Sequence, residues 1–232
     1  MTAAGAVTDR RAAPQTGVGS RGVRLRFALL VIAILCTFCA PLFVDGIDRS
    51  APKPVAGRVD YAKYGRLTAP VELRGQWRLV WHSGAPGPPA GTERLQLVPG
   101  RWSEKLASGG ALPDQGAASY HLTVEGLQPG RYSLYVPTIY AASRVIVNGR
   151  MLSEEGVPGP SAATTQATVR SHDVVFDVPG STLDVQIDLS AFHQRDNGME
   201  GPPVLGPTKA MNRYIALHWL RGLLLLLSLI HI

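Results

Sequence analysis

The nine residues TLDVQIDLS, Thr182 to Ser190, alternate strictly between two kinds of side chain. Leu183, Val185, Ile187 and Leu189 fall on one side and Asp184, Gln186 and Asp188 on the other. A period of two with one apolar face is the pattern of a half-buried strand, with a core beneath it and water above. The pattern recurs along the chain. SYHLTVEG sets Tyr120, Leu122 and Val124 against His121, Thr123 and Glu125, and RYSLYVP groups Tyr132, Leu134 and Val136. QWRLVWH, SRVIVNG and HDVVFDVP supply three more strands. LQPG (127–130) divides two of the strands at hairpin spacing, and Asn148-Gly149 after VIV favours a tight turn with positive φ. GAPGPPAG (84–91) and GVPGPSAATT (156–165) read as loops. No amphipathic helix is legible between 67 and 209. Many short strands separated by turns predict an all-β fold, a jelly roll or β-sandwich.

Charge shows how this region is mounted. Residues 1–26 carry five arginines (Arg10, Arg11, Arg21, Arg24, Arg26) against Asp9 alone. Residues 45–209 carry 16 Lys/Arg and 16 Asp/Glu, which cancel. The net charge of +6 thus describes a basic tail with a neutral domain, and nucleic acid is not an expected partner. Between the two lies FALLVIAILCTFCAPLFV, Phe27 to Val44, 18 residues without a charge. That length just spans a bilayer, and the arginines on its N-terminal side put the N-terminus in the cytoplasm and the β region outside. An uncleaved signal anchor is favoured over a cleaved signal peptide, because no small-x-small cleavage site follows the run. Cys36 and Cys39 sit inside this run and read as small apolar residues of a membrane helix rather than a redox pair, since no βαβ pattern surrounds them. The exported region has no cysteine, so neither a disulfide nor a cysteine–zinc site is available to it.

The order of segments VELRGQWRLVW, PGRWSE, ASYHLTVEGLQPGRYSLYVPTIYAASRVIVNGRMLSEEGVPG and LDVQIDLSAFHQRDNGMEGPPVLG, running into an apolar helix, resembles a known family. It is similar, over roughly 71–206, to the extracytoplasmic domain of bacterial seven-transmembrane receptors with diverse intracellular signalling modules. More loosely, it resembles the galactose-binding-like jelly rolls attached to glycoside hydrolases. The resemblance implies a domain that binds carbohydrate or another small ligand and passes a signal inward to a cyclase, kinase or similar output. The chain departs from the family's pattern at Ala191, where an Asn usually precedes the Phe-His pair, and at Asn197-Gly198, where Gly-Gly often follows the Arg.

The resulting plan has a basic cytoplasmic tail (1–26), a transmembrane helix (27–44), a linker (45–66), a β-sandwich sensor domain (67–209) and the start of a second transmembrane helix (210–226). LSLIHI, 227–232, resembles the conceptual translation of a transposon end used in sequencing-library preparation and reads as a scar, making the chain a fragment without its output domain.

No catalytic constellation is legible. The six histidines lack the H-x-x-x-H spacing of a metal site, and no G-x-S-x-G elbow is present. No catalytic residue, metal or cofactor is therefore expected, and this chain is not expected to be an enzyme. The densest polar cluster is FHQRDNG, after the cleanest strand, where binding groups are often mounted on a sandwich. His193, Arg195, Asp196 and Asn197 are the candidate ligand residues, with Arg195 offering a planar fork of donors. Tyr140 and Trp102 are candidates for a stacking face, whereas Trp77 and Trp81, alternating around Leu79, read as core. The expected partners are the bacterial inner membrane and a small ligand, with a saccharide in view. A homodimer stays open. The competing readings are a carbohydrate-binding module of a membrane-anchored hydrolase and a structural subunit of an envelope complex.

Overall fold

A computed structural model describes residues 22, 24–30, 46–84, 86–104, 110–195 and 197–230. The chain divides into two compact units, Met1–Val44 and Asp45–Ile232. In the first, residues 24–30 are helical. Most of the expected membrane span 27–44, with Cys36 and Cys39, lies outside the described residues, as does the basic tail up to Arg21. Among the described residues no helix is long and apolar enough to cross a membrane.

The second unit is an all-β sandwich followed by one helix. Its strands are β1 (Arg58–Asp60), β2 (Val71–Glu72), β3 (Gly75–Ser83), β4 (Thr92–Val98), β5 (Gly100–Arg101), β6 (Gly116–Glu125), β7 (Gly130–Ile139), β8 (Ala142–Val147), β9 (Arg150–Glu155), β10 (Arg170–Val178), β11 (Leu183–Ala191), β12 (Gly198–Met199) and β13 (Val204–Pro207), and the helix is α1 (Thr208–Ile230). The larger sheet runs β4-β3-β6-β11-β8-β9, with β1 joined in parallel to the end of β6. The smaller runs β10-β7-β13-β2, and β5 and β12 form a separate two-stranded ribbon.

All six segments with clear alternation are strands, and each turns its apolar set inward. Trp77, Leu79 and Trp81 of β3, Tyr120, Leu122 and Val124 of β6, and Leu183, Val185, Ile187 and Leu189 of β11 are buried. They share one core with Tyr132, Leu134 and Val136 of β7 and Val174 and Val178 of β10 across the sandwich. Fully burying one such side chain is worth about 1.5–3 kcal/mol, so the facing stripes carry most of the stabilisation. Several buried polar groups in this interior are paired, whereas the Tyr61 hydroxyl and the Trp81 indole N–H have no hydrogen-bond partner among the described residues. His172, buried on β10, has its ring nitrogens 2.8 Å from the hydroxyls of Ser143 on β8 and Ser153 on β9. It thereby ties the edges of the two sheets together. Burial pushes its pKa below the ordinary value, which favours the neutral ring that such pairing requires.

Asn148-Gly149 makes the expected tight hairpin between β8 and β9: Val147 pairs with Arg150, and the two turn residues have φ of 49° and 75°. The Asn148 side chain also accepts from the backbone N–H of Asp184, fastening the turn to β11.

The structure differs from the sequence reading at three places. LQPG is not a hairpin turn: β6 lies in the larger sheet and β7 in the smaller, so the turn carries the chain across the sandwich. The segment 45–66 is not a linker. β1 pairs with β6, and Val59 and Tyr61 are buried in the core, because the strip of β6 beyond the reach of β3 offers free ladder groups. At the other end, α1 begins at Thr208, and its first turns belong to the folded unit. Met211 is fully buried against Tyr135 and Val204 on the outer face of the smaller sheet, with Tyr214 and Ile215 packed beside it. The Tyr135, Tyr214 and His218 rings cluster at centroid separations of 6.0–6.3 Å.

Candidate functional site

A cleft of about 270 Å³ opens where two chain reversals meet. One wall comes from the end of β7 and the step from β7 to β8: Thr138, Ile139, Tyr140 and Ala141. Ile139 and Ala141 are buried, so the residue between them is turned outward, and Tyr140 is 47% exposed. The other wall comes from the loop after β11: Gln194, Arg195, Asn197 and Gly198, with Glu200 just beyond β12. A crossover between the sheets thus meets the loop that leaves the last long strand.

The loop is held by specific bonds. Asn197 is 6% exposed, and its side-chain N–H groups donate to the Asp114 carbonyl at 2.5 Å and the Gln194 carbonyl at 2.9 Å. Its own carbonyl accepts from the backbone N–H of Trp102 at 2.8 Å. The next residue, Gly198, has φ of 149° and pairs with Arg101 in the ribbon. A Cβ there would lie 2.4 Å from the Gly100 carbonyl oxygen, so glycine is required at this contact. Met199 is buried in the core and pins the far end. With both ends fixed, the exposed side chains of Gln194 and Arg195 are presented from a constrained backbone. Among the described residues, the Arg195 guanidinium has no hydrogen-bond or ion-pair partner.

Of the residues singled out from sequence, the structure brings Tyr140, Arg195 and Asn197 into one cleft. Asn197 does its work on the protein itself, through the bonds just described. His193 points elsewhere: its Nε2 donates to the Thr165 carbonyl at 3.1 Å, bracing the loop that follows β9. Asp196 lies outside the described residues. Trp102 is a correction. It is fully buried, edge-on to Trp81 with ring centroids 5.2 Å apart, and its indole N–H donates to the Tyr120 hydroxyl at 2.8 Å. It is a core residue, because PGRWSE folds back under the larger sheet instead of standing as a surface loop. Thr138 and Glu200 were missed, and nothing in their local sequence marks them; Gln194 was not singled out, although it lies within the FHQRDNG cluster. Among the described residues, no group of three or more His, Cys, Asp or Glu could hold a metal ion.

The cleft presents an exposed aromatic ring, a planar guanidinium, an amide, a hydroxyl and a carboxylate. Such a set can stack on an apolar ring face while exchanging several hydrogen bonds with the edge of the same ligand.

The chain matches no protein-family model and no curated protein. Among solved structures it is similar to a GH2 β-galacturonidase from Eisenbergiella tayi bound to galacturonate, at 19% identity, TM-score 0.42, over 60% of this chain and 24% of that one. It is also similar to a Faecalibacterium prausnitzii β-glucuronidase, at 16% identity and TM-score 0.42, over 59% of this chain and 31% of that one. A third is a β-D-glucuronidase from Dictyoglomus thermophilum, at 13% identity and TM-score 0.42, over 64% and 30% of the respective chains. The chain therefore spans between a quarter and a third of the length of these enzymes. Likeness at this level says nothing about ligand or activity.

Proposed function

We propose that the β-sandwich is a ligand-binding domain for a small saccharide, held outside the cytoplasm of a bacterium as the sensing part of a membrane receptor. The observation that carries the binding reading is the meeting of Tyr140 with the exposed Arg195 in one cleft. Sugar rings combine an apolar face with a polar edge, and this pair addresses both. The proposed role is recognition: the surrounding hydroxyl, amide, guanidinium and carboxylate groups suit hydrogen bonding to a sugar's edge. The receptor role draws support from the resemblance of the ordered segments to the seven-transmembrane receptors. The placement draws support from the arginines preceding the apolar run 27–44.

Binding is tested by titrating the full chain, purified in detergent, with galactose, glucose and their uronic acids, followed by calorimetry. At least one should bind. Arg195→Ala should weaken that binding about tenfold or more, the worth of a charge-assisted hydrogen bond, and Tyr140→Ala should weaken it comparably. Both side chains are exposed, so melting should stay within about 0.5 kcal/mol of the parent. Binding that neither substitution alters would remove the cleft from the reading.

Topology has a separate test. Alkaline phosphatase fused after Ile215, which keeps the packed turns of α1, should be active in a bacterial host. A silent phosphatase, with an active cytoplasmic reporter at the same junction, would reverse the orientation.

A further inference from the structure

We propose that the Tyr140 cleft is one end of a longer groove, and that the ligand is a linear oligosaccharide, not a single sugar. The inference rests on the saccharide reading of that cleft. At about 270 Å³ the cleft sits just below the range of roughly 300–1,000 Å³ usual for ligand pockets, so it offers a single sugar few contacts. Arg195, however, also lines a second cleft of about 520 Å³, bounded by Ser103, Pro113 and Gln115. Its guanidinium therefore stands on the ridge between the two. Pro86, Leu112 and Pro113 are in turn shared between the second cleft and a third of about 610 Å³, which runs on to Glu93 and Arg94. These three adjoining concavities, which share boundary residues, are taken together as one trough.

The walls of this trough are tied to each other. Asn197 reaches from the 194–197 loop to the Asp114 carbonyl, and Gln115 donates across to the Gln194 carbonyl at 3.4 Å. One buried amide thus fixes the relative position of the first two clefts, so an elongated ligand meets a site already arranged for it. The lining mixes apolar surfaces, the Tyr140 ring with Pro86 and Pro113, with the polar groups of Arg195, Ser103, Gln115 and Glu93. Each unit of a pyranose chain likewise offers an apolar ring face and hydroxyl edges. The charged lining is two arginines, Arg94 and Arg195, against three carboxylates, Glu93, Asp114 and Glu200, which suits a neutral polymer better than an anionic one.

The test measures affinity against chain length. The full chain in detergent is titrated with β-1,4-linked gluco-, manno- and N-acetylglucosamine oligomers of one to six units. For the series that binds, affinity should rise at least about tenfold between one and four units and then level off. Pro86→Trp, on an exposed residue shared by the second and third clefts, should plug the trough. It should abolish the gain with length and leave monosaccharide affinity and melting temperature unchanged. Pro86→Ala should retain most of the gain. Equal affinity at every length would overturn the groove while leaving the single-sugar cleft standing. A length-dependent gain that Pro86→Trp does not touch would place the extra contacts elsewhere and also overturn it. If no sugar of any length binds, the saccharide reading fails and this inference fails with it.

Discussion

Ile187→Asp should leave the sandwich unfolded. Ile187 is fully buried at the centre of β11, opposite Tyr120 on β6 and Val145 on β8. Its shell is the aliphatic and aromatic core shared by the two sheets. A carboxylate placed there loses its water and gains no cation, at a cost of several kcal/mol whether it stays charged or takes up a proton. The branched side chain's own burial, about 1.5–3 kcal/mol, is lost as well. Together these approach or exceed the 5–15 kcal/mol by which whole domains are stable. Circular dichroism should show loss of the β signal and of cooperative melting. Ile187→Val, which removes one methylene group, should cost only about 0.5–1.5 kcal/mol and melt cooperatively. A folded Ile187→Asp protein would mean that β11 is not the central strand.

Trp102→Ala should destabilise the domain by about 3–5 kcal/mol, the range for large-to-small substitutions at buried aromatic positions. Three attachments go at once. The edge-on contact with Trp81 disappears, a cavity opens beneath the larger sheet, and the Tyr120 hydroxyl loses its indole donor. That hydroxyl is itself deeply buried, and desolvation pushes its pKa above the ordinary value. Trp102→Phe keeps most of the volume but not the N–H, and should cost about 1–3 kcal/mol. Denaturant midpoints distinguish this role from a surface one. A stacking platform for a sugar would lose ligand affinity on truncation and keep its midpoint. If Trp102→Ala unfolds at the same denaturant concentration as the parent, the buried placement is wrong.

The contrast between those two residues shows what sequence pattern can and cannot reveal here. Ile187 was legible because each neighbour in its strand obeys the same two-residue rule. The rule fails for β4, TERLQLV, where Leu95 and Leu97 face outward and Gln96 is fully buried. Gln96 points inward because its amide is bound on both sides, accepting from Arg94 and donating to the Arg101 carbonyl. A polar bracket of that kind inverts the hydrophobic pattern and hides the strand. β1, β2, β5 and β12 are two or three residues long and have no period to detect. The candidate cleft was half visible. The polar loop after β11 announces itself by composition, and Tyr140 by being an aromatic residue in a turn. Their meeting depends on the chain crossing from the smaller sheet to the larger at 140–141, a three-dimensional fact without a local signature. Trp102 misleads because a tryptophan among Gly, Arg, Ser and Glu looks like a surface residue until its segment is seen to fold under the sheet.

The burial of Met211 against Tyr135 and Val204 changes where the domain can be cut. A chain ended at the last strand would uncover an apolar patch on β7 and β13 of the smaller sheet. Solubility and tendency to self-associate should then depend on the first two turns of α1 more than on any residue of the sandwich. The helix serves as a lid on the sheet that leads into it, so the natural end of the packed unit falls after Ile215 and not at the strand boundary.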